Sequence, residues 1–307
     1  MKPNRSKLKL KSLRGRISRV GRELLAGQWN EGSKATEFVD ALPDILAVKE
    51  MRTLASALKN SRDAGGTRLL MYGGHVIKCG LGPLLVRWLQ KGVFNALATN
   101  GSGSIHDLEM ALYGETSEDV QAGLKDGSFG MWEETSSHYA DALQRGSGIG
   151  NGIGRVILEN GGNCEISPLA AAAELGLPAT VHPSLGCDIV HPVKKVDWSL
   201  MGCEAEKDFD TFCSTVGSLA GGVVLNAGSA VVMPEVFLKA LSTVRNLGYP
   251  VENITAAGFD MIQQYRAMQN VIQRPVKALG GTSVSVTGHH ELMLPLLDVF
   301  LMAEEER

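Results

Sequence analysis

The chain has 307 residues, of which 44% are hydrophobic and 21% are charged, a composition typical of a globular protein. No stretch approaches the roughly 20 apolar residues that a membrane-spanning helix needs, so the sequence argues against a transmembrane protein. The five cysteines are odd in number and include no C-x-x-C pair. We therefore expect neither a disulfide scaffold nor a cysteine zinc site, and the sequence favours a reducing, cytoplasmic location.

Basic residues are concentrated at the N-terminus. Residues 1–22 contain nine Lys or Arg and no acid, which leaves 21 basic residues against 33 acidic ones in the rest of the chain. We predict a basic arm over residues 1–30 and a single α/β domain over residues 31–307. Such an arm can bind nucleic acid or a membrane surface or act as an organellar presequence, but packing on a sister subunit is favoured. The acidic body argues against a nucleic-acid-binding core.

The elements after the arm change from helices to alternating strands and helices. Apolar residues at three-to-four spacing predict helices over residues 34–60, divided at Pro43. From residue 67 onward, short continuous apolar runs alternate with helical patterns. Runs of this kind are typical of parallel strands covered on both faces, so we predict a three-layer α/β fold with a mainly parallel sheet. The runs are Leu69–Tyr72, Ala96–Thr99, Ala179–Val181, Val223–Leu225, Ile254–Ala256 and Val284–Val286.

Two glycine-rich segments invite comparison with the dinucleotide fingerprint G-x-G-x-x-G. The run over residues 146–154 follows a predicted helix and has the wrong spacing, so we interpret it as a flexible connection. Gly101 and Gly103 follow a predicted strand and open a helix, which is the correct context. His106 stands at the position of the third glycine, however, so the match is partial.

Turns of small residues follow five of the predicted strands. Ligands of open α/β sheets bind beyond the carboxyl ends of the strands, and phosphates bind at helix N-termini with close backbone approach. A single glycine turn indicates only a tight turn, whereas five at successive strand ends favour a phosphate-bearing ligand. The turns lie at residues 73–75, 100–103, 182–186, 226–229 and 287–289.

Histidines and acids cluster at the same turns. Imidazole and carboxylate groups above a sheet can perform acid–base chemistry or bind a divalent metal. Their spacing matches no metal-binding signature, so we assign no metal ligands, and for any one histidine a hydrogen-bonded loop residue is the simpler interpretation. The candidate catalytic residues are His75, His106, Asp107, His182, Asp188 and His191.

Residues 72–80 (YGGHVIKCG) and 98–109 (ATNGSGSIHDLE) resemble deoxyhypusine synthase, in particular its bacterial deoxyhypusine synthase-like branch. The likeness covers residues 65–300 and includes segments 114–119, 129–131, 221–228, 255–260 and 275–277. It implies a Rossmann-like NAD-binding fold, a homotetramer with sites at dimer interfaces, and transfer of a butylamine group from spermidine to a protein lysine. The cofactor-binding residues that the resemblance implies are Gly74, His75, Lys78, Asn100, Gly101, Ser102, Gly228 and Asp260.

Three positions depart from the family pattern. Met268 corresponds to the substrate-activating lysine, Val232 to the histidine after the glycine-rich turn, and His106 to the glutamate in the helix after the second strand. Because a thioether cannot form an imine, the family's route is closed. We therefore expect a transferase-like, NAD-binding enzyme for a small amine-type substrate that does not make deoxyhypusine. A metal-dependent hydrolase or lyase and a non-catalytic nucleotide-binding protein stay open as alternatives.

Overall fold

The computed structural model describes residues 3–307, and its centre is a single sheet of six parallel strands. The order across the sheet is β3-β2-β1-β4-β5-β6, so the direction of winding reverses between β1 and β4. This is the order of the dinucleotide-binding Rossmann fold. All six predicted strands are present: β1 (Arg68–Tyr72), β2 (Ala96–Asn100), β3 (Ala179–His182), β4 (Val223–Ala227), β5 (Ile254–Asp260) and β6 (Gly281–Thr287).

Helices cover both faces of the sheet. The break expected at Pro43 separates the first two of them, and a π-helical turn (Met268–Gln273) joins α12 to α13. The helices are α1 (Ala35–Ala41), α2 (Leu46–Asp63), α3 (Gly74–Lys78), α4 (Gly82–Gln90), α5 (Gly101–Tyr113), α6 (Val120–Asp126), α7 (Glu133–Gln144), α8 (Ile149–Glu159), α9 (Pro168–Leu175), α10 (Trp198–Gly217), α11 (Val232–Asn246), α12 (Tyr265–Ala267), α13 (Arg274–Leu279) and α14 (His290–Glu306).

Two hydrophobic cores lie on opposite faces of the sheet. Successive side chains of a strand point to opposite faces, and β1 shows this directly. Leu70 and Tyr72 pack into the core formed with α2, α4, α5, α7, α8, α9 and α14. Leu69 and Met71 pack into the core formed with α10, α11 and the π-helical turn. Burial on both faces explains why β1 reads as a continuous apolar run in the sequence.

Glycines in α8 allow β3 and α7 to approach its backbone closely. A Cβ at Gly150 would collide with the carbonyl oxygen of Ala179 in β3, and one at Gly152 with that of Ala142 in α7. Residues 149–154 are thus the first turns of a buried helix, and our interpretation of this run as a flexible connection is wrong. The spacing of the glycines serves helix packing rather than a loop.

A buried acid on α10 fixes the start of α8. The Asp208 carboxylate accepts hydrogen bonds from the backbone N–H groups of Gly150 (3.0 Å) and Val181 (2.8 Å). Burial raises the pKa of this carboxyl to about 7. Asp208 therefore joins α8, β3 and α10 at the amino-terminal end of α8, where a carboxylate is favoured by the helix dipole.

Residues 3–30 contain three single 3-10 turns and no α-helix or strand: Arg5–Lys7, Leu13–Gly15 and Arg22–Leu24. Lys2, one of the nine basic residues of the arm, lies outside the described residues. The Trp29 ring packs edge-on against Phe38 of α1, with 5.0 Å between ring centroids. The division into an arm and one domain stays a prediction. No helix within residues 3–307 has the length and apolar character needed to cross a membrane.

Candidate functional site

The turns after β1 and β4 meet where the strand order reverses. A Cβ at Gly73 would collide with the carbonyl oxygen of Gly228, so the two turns touch through their backbones. Gly228 also has a φ of 67°, a conformation that favours glycine. In open sheets with this order, ligands bind outside the carboxyl ends of the strands at this point. A ligand-binding site is therefore expected at these two turns.

A first group of side chains joins the β1 turn to the start of α5. A Cβ at Gly74 would lie 2.7 Å from Ser102 Oγ and 3.0 Å from His106 Cδ2. The Ser102 hydroxyl donates to Asn100 Oδ1 (3.1 Å), which also caps α5 by accepting from Gly103 N (2.9 Å). Four residues that the family resemblance assigned to NAD thus lie in or next to one contact region: Gly74, Lys78, Asn100 and Ser102.

A second group lies on the β5 and β6 side of the same edge. The rings of His75 and His290 meet edge-on with 5.9 Å between centroids, and His290 Nε2 lies 4.0 Å from Asp260 Oδ1. A Cβ at Gly228 would lie 2.7 Å from His290 Nε2. His290 is buried, burial lowers its pKa, and its Nδ1 has no hydrogen-bond partner in the described part of the chain. Our sequence analysis did not assign His290, although its position after β6 marks it as a strand-end residue.

The loop after β3 places Asp188 against the N-terminus of α5. A Cβ at Gly101 would collide with the Asp188 carboxylate, so this side chain occupies the space beside Gly101. His191 Nδ1 accepts from the backbone N–H groups of Gly186 and Asp188, both at 3.1 Å. Burial lowers the pKa of His191 and raises that of Asp188. His191 therefore shapes the loop that holds Asp188 in place.

His182 and Asp107 lie apart from these groups. His182 Nε2 is 3.0 Å from Thr180 Oγ1, and its ring packs edge-on against Phe212 of α10. Burial lowers the pKa of His182 to about 4. Asp107 accepts a hydrogen bond from Leu169 N at the start of α9 (2.9 Å), and burial raises its pKa to about 7. Neither residue lines the cavity described next, so their assignment to catalysis gains no support from geometry.

A cavity of about 600 Å³ opens beside α5, between the 114–119 loop and the start of α7. Lys78 and His106 form its border with the first group, so the cavity adjoins the glycine turns. Its lining includes four carboxylates against a single lysine, and it is therefore suited to a cationic ligand. The carboxylates are Glu109, Glu115, Glu118 and Glu134, and the aromatic rings are Tyr113, Phe129 and Trp132.

A chain of polar contacts runs along one wall of this cavity. His106 Nδ1 lies 2.7 Å from Thr116 Oγ1, and the Thr116 hydroxyl lies 2.5 Å from Glu109 Oε2. Thr135 donates to the other oxygen of Glu109 (2.9 Å). Burial, and then the charge of Lys78, lower the pKa of His106 to about 4. Our sequence analysis did not include Glu109 among the candidate catalytic residues, although its position three residues after His106 places both on one helix face.

No group of three His, Cys, Asp or Glu side chains within residues 3–307 is arranged to hold a metal ion. The strand-end histidines and acids fall into separate groups with different partners, as described above. The metal-dependent alternative therefore has no ligand set in this part of the chain.

Comparisons with known proteins show the fold. No family model matches the sequence, and no curated protein matches it. The structure of AgrE in complex with ornithine and NAD+ superposes with a TM-score of 0.53 and 17% identity, covering 83% of this chain and 33% of AgrE. ArgZ, a cyanobacterial arginine dihydrolase, superposes with a TM-score of 0.52 and 19% identity, covering 84% of this chain and 33% of ArgZ. The chain thus spans about a third of the length of these proteins.

A third similar structure has almost the same length as this chain. It is a proposed deoxyhypusine synthase from Entamoeba histolytica, with a TM-score of 0.51 and 11% identity, covering 89% of this chain and 94% of that protein. The predicted Rossmann-like fold is confirmed by these similarities and by the strand order. The resemblance to deoxyhypusine synthase is supported as a distant relationship of folds.

Proposed function

We propose that this protein is an enzyme that binds NAD at the carboxyl edge of its sheet and acts on a small amine-type substrate in the adjacent cavity. The observation that supports the proposal is that the glycine turns and the cavity adjoin each other at His106. The glycine turns at the reversal of strand order touch His106, which also lines the cavity. The similar fold of AgrE, whose structure contains NAD+ and ornithine, supports the same combination of ligands.

The residues at the carboxyl edge of the sheet are of chemical types that can bind a dinucleotide. Gly74 is buried against Ser102 and His106, and the exposed Lys78 supplies a positive charge for phosphate. Asp260, whose side chain is 18% exposed, can accept hydrogen bonds from ribose hydroxyls. Phosphate beside Gly101 is disfavoured because the Asp188 carboxylate lies there. Bound NAD would supply a hydride acceptor next to the cavity.

The cavity accounts for an amine-type substrate. Its four glutamates against one lysine give it an excess of negative charge, and aromatic faces also attract cations. Met268, which stands at the position of the family's lysine, packs against the core on the opposite face of the sheet. We therefore propose that the amine group is not transferred through a lysine imine at this position.

Calorimetry tests the cofactor. We expect NAD to bind the full chain and to stabilise it by about 2.7 kcal/mol at a hundredfold excess over Kd. Lys78→Met should weaken binding about tenfold, because a charge-assisted phosphate contact contributes about 1.5 kcal/mol. Lys91→Met, at the end of α4, is the matched control and should bind as the natural chain does. Absence of binding at millimolar NAD, NADH and NADP would refute the proposal.

Two further assays test the substrate. Putrescine should bind to the NAD complex whereas succinate, a diacid of similar length, should not, because the cavity carries negative charge. With NAD, labelled spermidine and an acceptor protein, we expect no labelled acceptor. Label transfer that is lost in Lys277→Ala would show that a lysine downstream of Met268 replaces the family's lysine.

The homotetramer and the packing of the basic arm on a sister subunit are also proposals. Sedimentation of the full chain, and of a chain that lacks residues 1–22, tests both. A monomer at micromolar concentration that the deletion leaves unchanged would contradict them.

A further inference from the structure

The polar chain beside the cavity determines where His106 carries its proton. An ionised carboxylate only accepts hydrogen bonds, so Glu109 must receive the hydroxyl protons of both Thr116 and Thr135. Thr116 has a single hydroxyl hydrogen, and its contact with Glu109 uses it. Thr116 Oγ1 can therefore only accept at its 2.7 Å contact with His106, which places the hydrogen on His106 Nδ1.

The other ring nitrogen then carries the lone pair. A neutral imidazole with hydrogen on Nδ1 is an acceptor at Nε2. Nε2 makes no hydrogen bond to any residue between 3 and 307, and the adjoining ring atom, Cδ2, faces Gly74 of the β1 turn. His106 also lines the cavity. The acceptor nitrogen of His106 therefore lies between the glycine turns and the cavity.

We propose that Thr116 and Glu109 are positioning residues that hold His106 with hydrogen on Nδ1, so that Nε2 accepts the N–H of the substrate. The identity of the substrate rests on the function proposed above. The contact is a hydrogen bond in which the substrate N–H donates to Nε2 and no proton is transferred, because burial lowers the pKa of His106 to about 4 and keeps the ring neutral. The neutral ring donates from Nδ1 to Thr116, whose hydroxyl in turn donates to Glu109.

The arrangement resembles an acid–histidine pair with a hydroxyl inserted between the two groups. In such pairs the carboxylate orients the ring and fixes its tautomer, and the free nitrogen exchanges protons with the substrate. Here the carboxylate and the ring lie on one helix, three residues apart, and the inserted hydroxyl comes from the 114–119 loop. A purely structural chain of the same contacts would fix the same tautomer, so the affinity for the substrate is the measurement that separates the two roles.

Solid-state NMR of the full chain with ¹⁵N,¹³C-labelled histidine reads the tautomer directly. The spectrum of His106→Gln identifies the His106 signals by their loss. We expect hydrogen on Nδ1 in the natural chain. Thr116→Val removes the acceptor and should move the hydrogen to Nε2, while Thr116→Ser should keep it on Nδ1. The signals of His138, whose Nε2 contacts Tyr113 at the other side of the cavity, serve as the control and should not change.

Glu109→Met provides a second test that retains Thr116. Without the carboxylate, the Thr116 hydroxyl is free to donate to His106 Nδ1, and the ring hydrogen should move to Nε2. Hydrogen on Nε2 in the natural chain, or on Nδ1 in both Thr116→Val and Glu109→Met, would overturn the proposal.

Binding assays separate this inference from the proposed function. We expect Thr116→Val to bind NAD normally and putrescine about tenfold more weakly, since one hydrogen bond to a charged group is lost. Unchanged putrescine affinity would refute the role of Nε2 in substrate binding. If the natural chain binds no NAD while the tautomer changes as expected, the proposed function fails and the assignment of Thr116 and Glu109 as positioning residues stands.

Discussion

Two acids of α5, Asp107 and Glu109, have different surroundings although one residue separates them. Two positions along an α-helix correspond to about 200° of rotation, so the two side chains leave opposite sides of the helix. Asp107 is 1% exposed and accepts a hydrogen bond from Leu169 N at the start of α9. Glu109 accepts from Thr116 and Thr135 at the wall of the cavity. The comparison shows that helix face, rather than nearness to His106 in sequence, separates the acid that supports packing from the acid that lines the cavity.

Asp208, like Asp107, is a buried acid that accepts hydrogen bonds from backbone N–H groups. Removal of the Asp208 carboxylate should have the largest effect on stability. Asp208→Ala leaves the buried N–H groups of Gly150 and Val181 without their acceptor. Each unsatisfied group costs about 1–3 kcal/mol, so we expect the free energy of unfolding in urea to fall by about 3 kcal/mol or more. Asp210→Ala, an exposed position on the same helix, should stay within about 0.5 kcal/mol. Equal losses in the two variants would contradict the structural role of Asp208.

The pair on α5 can be tested directly. Asp107→Ala leaves Leu169 N unsatisfied and should cost about 2 kcal/mol of unfolding free energy, with putrescine affinity unchanged. Glu109→Ala frees two hydroxyls that border a cavity and can bind water instead, so its stability cost should be about 1 kcal/mol or less. Its putrescine affinity should fall. The comparison fails if Asp107→Ala weakens putrescine binding as strongly as Glu109→Ala does.

The sequence predicted the elements of this fold well, for a physical reason. Parallel strands covered on both faces must be apolar throughout, so each leaves a local signal, and β1 and β4 were found in this way. The glycine run in α8 was misinterpreted because its cause is not local. Gly150 is required by a carbonyl of β3, which lies about 30 residues away in the sequence.

The site was harder to predict than the fold. Sequence position places His75, His106 and His182 alike near strand ends, but the pleat of β3 turns His182 toward Phe212 and away from the cavity. The sequence also gave no sign that Asp188 would lie against Gly101, the residue expected to admit a phosphate. Which side chains meet depends on loop paths and helix faces, and strand-end position alone does not determine them.

The buried acids and histidines should give opposite pH dependences. The folded chain keeps a proton on Asp107 and Asp208 up to a pKa of about 7, whereas unfolded Asp, with a pKa of 3.8, has released it. The unfolded state then binds fewer protons, so stability falls as pH rises from about 4 to 7. The pKa values of His106 and His182 are lowered from 6.5 to about 4, so these groups make stability rise between about pH 4 and 6.5.

Variants can separate the two slopes. Asp107→Asn should remove part of the decrease in stability that the buried acids cause as pH rises. The free energy of unfolding should then rise more steeply between about pH 4.5 and 6.5 than in the natural chain. His182→Gln should have the reverse effect. Urea unfolding at several pH values within this window measures both slopes. Parallel profiles for the two variants would show that burial does not perturb these groups as the structure indicates.

The smallest expected effect concerns Lys78, which links the glycine turns to the cavity. Its positive charge is the second cause, after burial, of the lowered pKa of His106. Lys78→Met keeps the length of the side chain and removes the charge, so an imidazolium at His106 becomes less costly and its pKa should rise while staying below 6.5. Lys91→Met should leave the His106 titration unchanged, because that lysine lies at the far end of α4. An NMR titration of labelled histidine compares the two variants. A shift that 1 M salt abolishes would identify the coupling as screened by solvent, and no shift at low salt would show that the charge of Lys78 does not act on the His106 ring.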